Sequence, residues 1–368
     1  MHIVGARPNF MKVAPLIKEM AGRAGKFEQC LVHTGQHYDR LMSDVFFQDL
    51  GIPAPDYSLG VGSSSHVTQI AQVMQRFEPV LLEKNPDWVI VVGDVNSTLA
   101  CALVAAKQGI NVAHVEAGLR SFDRQMPEEI NRIMTDHLST LLFTPSRDAD
   151  ENLLREGIGA DRIVMVGNVM IDALISRLPD ARLRLNAVRS DLGLRDDYVL
   201  ATLHRPSNVD DPKRLHEIIT SLNLLSEEVG VVFPVHPRTH QRLQDSGIRI
   251  APQVRLVGPQ PYIDFLALQV GAKLVLTDSG GVQEETTYLG ISCLTLRPNT
   301  ERPVTISQGT NRLVVPGENI VRHALEAMQS SASVSRSCPE LWDGHASRRI
   351  SDTLLASALR SRSVCHPE

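Results

Sequence analysis

Residues 88–98 read WVIVVGDVNST: an unbroken apolar run, a glycine, an aspartate, and then a series of small polar side chains. A strand with one wet face alternates apolar and polar residues, so a continuous run from Trp88 to Val92 belongs to a strand covered on both faces. The glycine ends it, and the polar residues that follow stand at its carboxyl end. Buried strands of this kind occur in parallel sheets with helices on either side.

The same unit recurs along the chain. In the first half, strands are predicted at Ile3–Val4, Gln29–Thr34, Trp88–Gly93, Val112–Val115, Leu141–Thr144 and Ile163–Val166. In the second half they are predicted at Tyr198–Leu203, Val231–Val235, Val254–Val257, Leu274–Thr277, Ser292–Leu296 and Leu313–Val315. Longer helix-like segments lie between them. At 368 residues the chain exceeds what one hydrophobic core usually supports. The expectation is therefore an α/β protein of two doubly wound, Rossmann-like domains. Residues 1–168 form the first and 169–345 the second, with the boundary near Gly167–Ile171. The helix-like stretch at about 346–360 is expected to return to the first domain. Ser330–Ser337 reads as a loop, and Arg360–Glu368 as a frayed tail. The first strand is short, which fits a chain lacking an N-terminal extension.

Composition narrows the chemistry. A net charge of −5 argues against a broad nucleic-acid or anionic-membrane surface. Phosphate recognition must then rest on a few placed Arg and Lys side chains. The five cysteines are scattered without CxxC pairs, and no apolar run is long enough for a membrane span. This predicts a cytoplasmic protein. There is no HExxH or paired-histidine spacing, so neither a bound metal nor another cofactor is expected.

Ligands of open α/β sheets bind beyond the carboxyl ends of the strands. Here those ends carry Arg7 and Lys12 after the first strand, Asp94 after the third and Glu116 after the fourth. In the second half they carry His204, His236 and the run Asp278-Ser279-Gly280-Gly281. The Gly pair opens a helix and lets backbone N–H groups approach an anion, with the helix dipole in support. A tight turn would read the same way. Glu285 suits either a ribose contact or a solvated first-turn acid. Arg7 and Lys12 lie roughly 140° apart on their helix; Lys12 reads equally as a surface charge. Asp94 and Glu116 follow central strands, where an unpaired carboxylate is costly. Glu128 and Glu129 open a helix, and dipole complementarity suffices to explain them. Paired acids with histidines at strand ends suit proton transfer at a sugar ring.

The ordered motifs GARPNFMKVAPL, HTGQHYD, VGDVNSTLA, HVEAGLR, MPEEINR, TLHRPSN, PVHPR, TDSGGVQEE and TERP resemble the non-hydrolysing UDP-N-acetylglucosamine 2-epimerase family from Gly5 to about Val315. The resemblance implies a GT-B-like arrangement, two Rossmann-like domains facing a central cleft. It also implies a UDP-sugar substrate, a homodimer and a role in polysaccharide precursor synthesis. By position, the family's catalytic residues fall on Asp94, Glu116, Glu128 and His204. Its UDP contacts fall on Arg7, Lys12, His236, Ser279, Gly280, Gly281, Glu285 and Arg302. The roles of Glu128 and Lys12 rest on the resemblance alone. The implied reaction eliminates UDP to 2-acetamidoglucal, then re-adds it after proton return to the opposite face of C2.

Two departures stand out. Asn9 occupies the acid position of the commoner GTRPE motif, as in branches acting on related sugars such as 2,3-diacetamido-glucuronate nucleotides. Some bacterial members bind a second UDP-GlcNAc near the equivalent of Gln36-His37-Tyr38-Asp39. Asp39 replaces the glutamine used there, which counts against such activation. The rival readings are a hydrolysing 2-epimerase, a GT-B glycosyltransferase and a silent nucleotide-sugar binder.

Overall fold

The computed structural model describes residues 1–35, 51–194, 197–315, 317–330 and 338–364, without the side chains of residues 7, 330 and 359–364. The chain groups into two compact units, Met1–Ala173 with Glu340–Glu368, and Leu174–Pro339.

The first unit holds β1 (His2–Val4), β2 (Leu31–His33), β3 (Tyr57–Ser58), β4 (Trp88–Val92), β5 (Asn111–Val115), β6 (Leu141–Thr144) and β7 (Ile163–Met165). They form one parallel sheet in the order β3-β2-β1-β4-β5-β6-β7. Strand order reverses between β1 and β4, the position where doubly wound sheets open a crevice. Val89 and Val91 of β4 enter one core with Val73, Phe77 and Leu81 of the helix His66–Lys84 and with Ala100–Ala102 and Val104 of the helix Asn96–Lys107. Ile90 and Val92 are buried too, so both faces are covered as the apolar run requires.

β3 is absent from the sequence expectation because two residues at a sheet edge leave no apolar signature. Backbone bonds place it: Asp56 N–H donates to Leu31 O at 2.9 Å, and Leu59 N–H to His33 O at 2.8 Å. The helix Ala346–Val364 belongs to this unit. Asp172 anchors its start, accepting from Ala346 N–H (3.1 Å), Ser347 N–H (2.8 Å) and the Ser347 hydroxyl (2.6 Å). That carboxylate satisfies helix-start amides that lack intrahelical partners.

The second unit holds β8 (Tyr198–Thr202), β9 (Gly230–Pro234), β10 (Val254–Val257), β11 (Leu274–Thr277), β12 (Cys293–Thr295) and β13 (Asn311–Leu313). All are parallel, in the order β10-β9-β8-β11-β12-β13. Strand periodicity divides the side chains cleanly. Val199, Ala201, Val231, Phe233, Leu274 and Leu276 enter one core, while Tyr198, Leu200, Val232 and Val275 enter the other.

β13 starts two residues before its expected position. Asn311 looks too polar for a buried strand, but its amide is satisfied inside. It accepts from Thr295 Oγ1 at 2.7 Å and donates to Gln283 Oε1 and Thr305 Oγ1, both at 3.2 Å. Among the described residues no helix is long and apolar enough to cross a membrane.

Candidate functional site

In the first unit the candidate residues gather where β1, β4 and β5 end. The helix Arg7–Ala21 follows β1 directly, and Asn9 fixes the connecting turn. Its Oδ1 accepts from Gly5 N–H (3.1 Å) and Ala6 N–H (3.0 Å), while its Nδ2 donates to Val92 O at 2.9 Å. An acid at this position would lack that donor, so Asn9 ties the turn to β4 as a carboxylate could not. Arg7 is the first residue of the helix; its side chain lies outside the described ones.

Lys12 turns inward and forms a buried ion pair with Glu116, Nζ to Oε2 at 2.7 Å. It is not a surface charge. Gly93 sits at φ +67, a region that favours glycine, and a Cβ there would meet the same ammonium at 2.6 Å and push it aside. Glu116 itself is left-handed, at φ 72. Its amide and that of Ala117 both donate to Phe143 O at 3.1 Å, which kinks the end of β5. A non-glycine residue in this region carries a strain of about 1–3 kcal/mol, and such strain concentrates at functional sites.

The helix Pro127–Leu138 carries an unusually polar buried face. Arg132 reaches Asp94 with two nitrogens at 2.9 and 3.1 Å, and also pairs with Glu129. Asn131 donates to Asp94 O at 2.9 Å. Asp94 is thus held by carboxylate and by backbone alike. Glu129 accepts from Ser121 N–H and Phe122 N–H at 2.9 and 2.8 Å, so it orders the preceding loop. Glu128 stands half-buried one turn before Arg132. Arg132 was legible only as part of a motif. Its spacing one helical turn after Glu128 and Glu129 was the available signal.

In the second unit, β8 and β11 end side by side. Asp278 is fully buried and collects His204 N–H (3.1 Å), Arg205 N–H (3.0 Å), Asn208 Nδ2 (3.1 Å) and His204 Nδ1 (2.9 Å). Burial alone would raise its pKa, yet the His204 contact and the other donors hold it below the usual carboxylate value. With Nδ1 engaged, His204 presents Nε2 outward on a half-exposed ring. This acid-oriented imidazole suits proton exchange, and the sequence reading treated Asp278 only as part of the Gly-rich turn.

Ser279 stands at the N-cap position of the helix Gly280–Leu289, and Arg302 lies against that start. A Cβ on Gly280 would fall 2.5 Å from Arg302 Nη1. Glu284 and Glu301 hold the guanidinium at 2.7 and 2.5 Å. A helix N-terminus with a fixed guanidinium is suited to an anion. His236 caps the helix Pro237–Ser246; its Nδ1 accepts from Arg238 N–H at 3.3 Å, which leaves the proton on Nε2 of an exposed ring.

Of the two readings open for Glu285, a ribose contact or a solvated acid, its surroundings exclude the solvated one. The side chain is buried, accepting from Tyr262 Oη at 2.9 Å and Gln269 Nε2 at 2.6 Å. Burial raises its pKa, with the two hydrogen bonds offsetting part of that effect. Gln36, His37, Tyr38 and Asp39 lie outside the described residues. Among the described residues no group of three or more His, Cys, Asp or Glu is placed to hold a metal ion.

Comparison with known proteins adds a family. The model of the UDP-N-acetylglucosamine 2-epimerase family matches residues 19–355. A UDP-N-acetylglucosamine 2-epimerase of Methanocaldococcus jannaschii is 43% identical over 334 residues, 89% of this chain and 91% of that protein. A UDP-2,3-diacetamido-2,3-dideoxy-D-glucuronate 2-epimerase of Pseudomonas aeruginosa is 40% identical over 360 residues, 96% of this chain and 98% of that protein. Among solved structures, the M. jannaschii UDP-GlcNAc 2-epimerase in complex with UDP-GlcNAc and UDP superposes with a TM-score of 0.86 at 41% identity. That match covers 96% of this chain and 98% of the other.

Proposed function

The chain belongs to the UDP-N-acetylglucosamine 2-epimerase family, and from that premise we propose that it interconverts UDP-GlcNAc and UDP-ManNAc by inverting C2. The observation that carries this reading is the division of labour between the two sheet edges: oriented carboxylates in one, an anion-suited helix start with Arg302 in the other.

C2 of the ring adjoins no carbonyl, so its proton is not acidic in the ground state. Departure of UDP from C1 makes C1 electron-poor and acidifies C2. In the forward step the C2–H pair becomes the C1=C2 bond, the C1–O bond breaks with its electrons on UDP, and a carboxylate takes the proton. In the return step a carboxyl group protonates the opposite face of C2, and a diphosphate oxygen re-forms the bond to C1. Asp94 is one of these acids, and Glu116 or Glu128 the other. His204 assists departure of UDP; Arg7, Lys12, His236, Arg302, Glu285 and the Ser279–Gly281 helix start bind and stabilise it. Neither a metal nor a nicotinamide is required by this sequence of steps. The enzyme is further proposed to act as a homodimer that supplies polysaccharide synthesis.

The same C2 chemistry on a 2,3-diacetamido-glucuronate nucleotide is a second reading, favoured by the likeness to the P. aeruginosa enzyme and by Asn9. Incubation with each nucleotide sugar in D₂O, followed by NMR, decides between them. UDP-ManNAc with deuterium at C2 is expected from UDP-GlcNAc. Free N-acetylmannosamine would point to a hydrolysing enzyme, and no deuterium at C2 of either sugar would overturn the assignment.

A further inference from the structure

A buried cluster beneath the acids has no part in the steps above. His114 lies in β5, fully buried, between two oxygens: its Nε2 is 2.8 Å from Gly93 O and its Nδ1 is 2.6 Å from Asp136 Oδ1. A carbonyl oxygen only accepts, so Nε2–H donates to Gly93. Asp136 also takes Gly118 N–H at 3.2 Å and Arg120 Nη1 at 2.7 Å, and Arg120 in turn grips Glu156 at 2.7 and 2.8 Å. Burial alone would raise the Asp136 pKa, but His114 and Arg120 hold it below the usual carboxylate value. Nδ1 faces the Asp136 carboxylate, so both ring nitrogens are engaged and the imidazole is fixed between the two partners.

The positions of these contacts matter more than their number. Gly93 precedes Asp94, and Gly118 follows Glu116 by two residues. Both glycines are left-handed, at φ +67 and +79, so each turns the chain away from its strand. A backbone bond from Gly93 N–H to Val115 O, at 3.0 Å, joins the first turn to the end of β5. We propose that Asp136 is a positioning residue for the reaction, tying the turn that delivers Asp94, through His114 and the Gly93 carbonyl, to the turn that delivers Glu116, through the Gly118 amide. This rests on the epimerase reading and deepens it: the two acids act on one carbon, so their mutual register sets the rate. Arg132 and Lys12 orient each carboxylate separately; Asp136 sets one turn against the other. Asp136 touches no reacting atom and acts through its neighbours.

The test uses the full chain and its Asp136→Asn variant. Loss of register by about 1 Å lowers turnover about 10²-fold, so kcat for deuterium incorporation at C2 falls by that factor, while KM and the Kd for UDP change less than twofold. ¹H–¹⁵N NMR of the unsubstituted chain shows a slowly exchanging His114 Nε2–H, as its bond to the Gly93 carbonyl requires, a signature that needs no variant to fold. His114→Phe breaks the link to Gly93 while Arg120 still satisfies Asp136, and lowers kcat about tenfold with UDP binding retained. A variant kcat within threefold of the parent, a parallel loss of UDP affinity, or a freely exchanging His114 Nε2–H would each overturn the proposal. Failure of the epimerase reading shows instead in the unsubstituted chain, as absence of C2 exchange.

Discussion

The carboxyl edges of the two sheets share a topology and invert its electrostatics. Beyond β4 and β5, cations serve carboxylates: Lys12 holds Glu116 and Arg132 holds Asp94. Beyond β8 and β11, carboxylates serve cations and an imidazole. Glu284 and Glu301 hold Arg302, Glu301 also takes Arg297 at 2.8 Å, and Asp278 holds His204. In each case the supporting partner is buried, and Glu116, Asp94, Arg302 and His204, the groups so held, all have a proposed part in the chemistry. A proton-transferring acid needs orientation and a defined ionisation state. A diphosphate needs a positive site that does not collapse when empty. One fold answers both needs by exchanging which sign is the support.

This contrast can be broken. The largest expected effect is at Asp94. Asp94→Asn should lower kcat for C2 exchange by about 10³-fold, within the range for general acid–base groups, while UDP binding measured by calorimetry stays within twofold. Near-normal turnover would remove Asp94 from proton transfer, and lost UDP affinity would erase the division between the edges.

The next effect is on stability. Lys12→Met leaves Glu116 buried without its cation, and should cost about 3–5 kcal/mol in urea denaturation. Lys12→Met combined with Glu116→Gln should recover most of that loss. If the double variant is as unstable as the single one, the pair is not an isolated unit.

At the other edge, Gly280→Ala places a methyl 2.5 Å from Arg302 Nη1 and must displace it. Loss of the charge-assisted contact from Arg302 to the diphosphate, about 1.5–3 kcal/mol, should raise the UDP Kd at least about tenfold. Calorimetry showing unchanged affinity would remove Arg302 from diphosphate binding.

The smallest effect is a pH dependence. Asp278 has a folded-state pKa below its unfolded value, so its stabilisation is complete above the unfolded value and is lost as pH falls through the folded one. The difference in Tm between the parent chain and Asp278→Asn should therefore narrow on acidification below about pH 4. A constant difference would mean that the carboxylate is not the stabilising form.

Much of the candidate site was legible before any coordinates. Each polar residue after an apolar run, from Asp94 to Ser279, stands at a carboxyl strand end because a parallel sheet allows no other place. For Glu285 the sequence left a ribose contact and a solvated acid both open, and only Tyr262 and Gln269, 23 and 16 residues away, reveal that it is interior. The supporting roles were not legible: Arg132 stood only in a motif and Asp278 only in the Gly-rich turn, and the contacts that give Arg132, Asp278 and Asp136 those roles span 38, 74 and 22 residues.

The sequence by itself determined two parallel α/β sheets, because uninterrupted apolar runs between helices can be buried in no other regular way. It also determined which residues stand at the carboxyl edges. The tertiary structure decided which of those charges meet. That choice depends on strand register, left-handed turns at Gly93, Glu116 and Gly118, and the polar face of the helix Pro127–Leu138. Pairing energies between buried charges vary steeply with separations of an ångström, a scale that residue patterns along a chain do not encode.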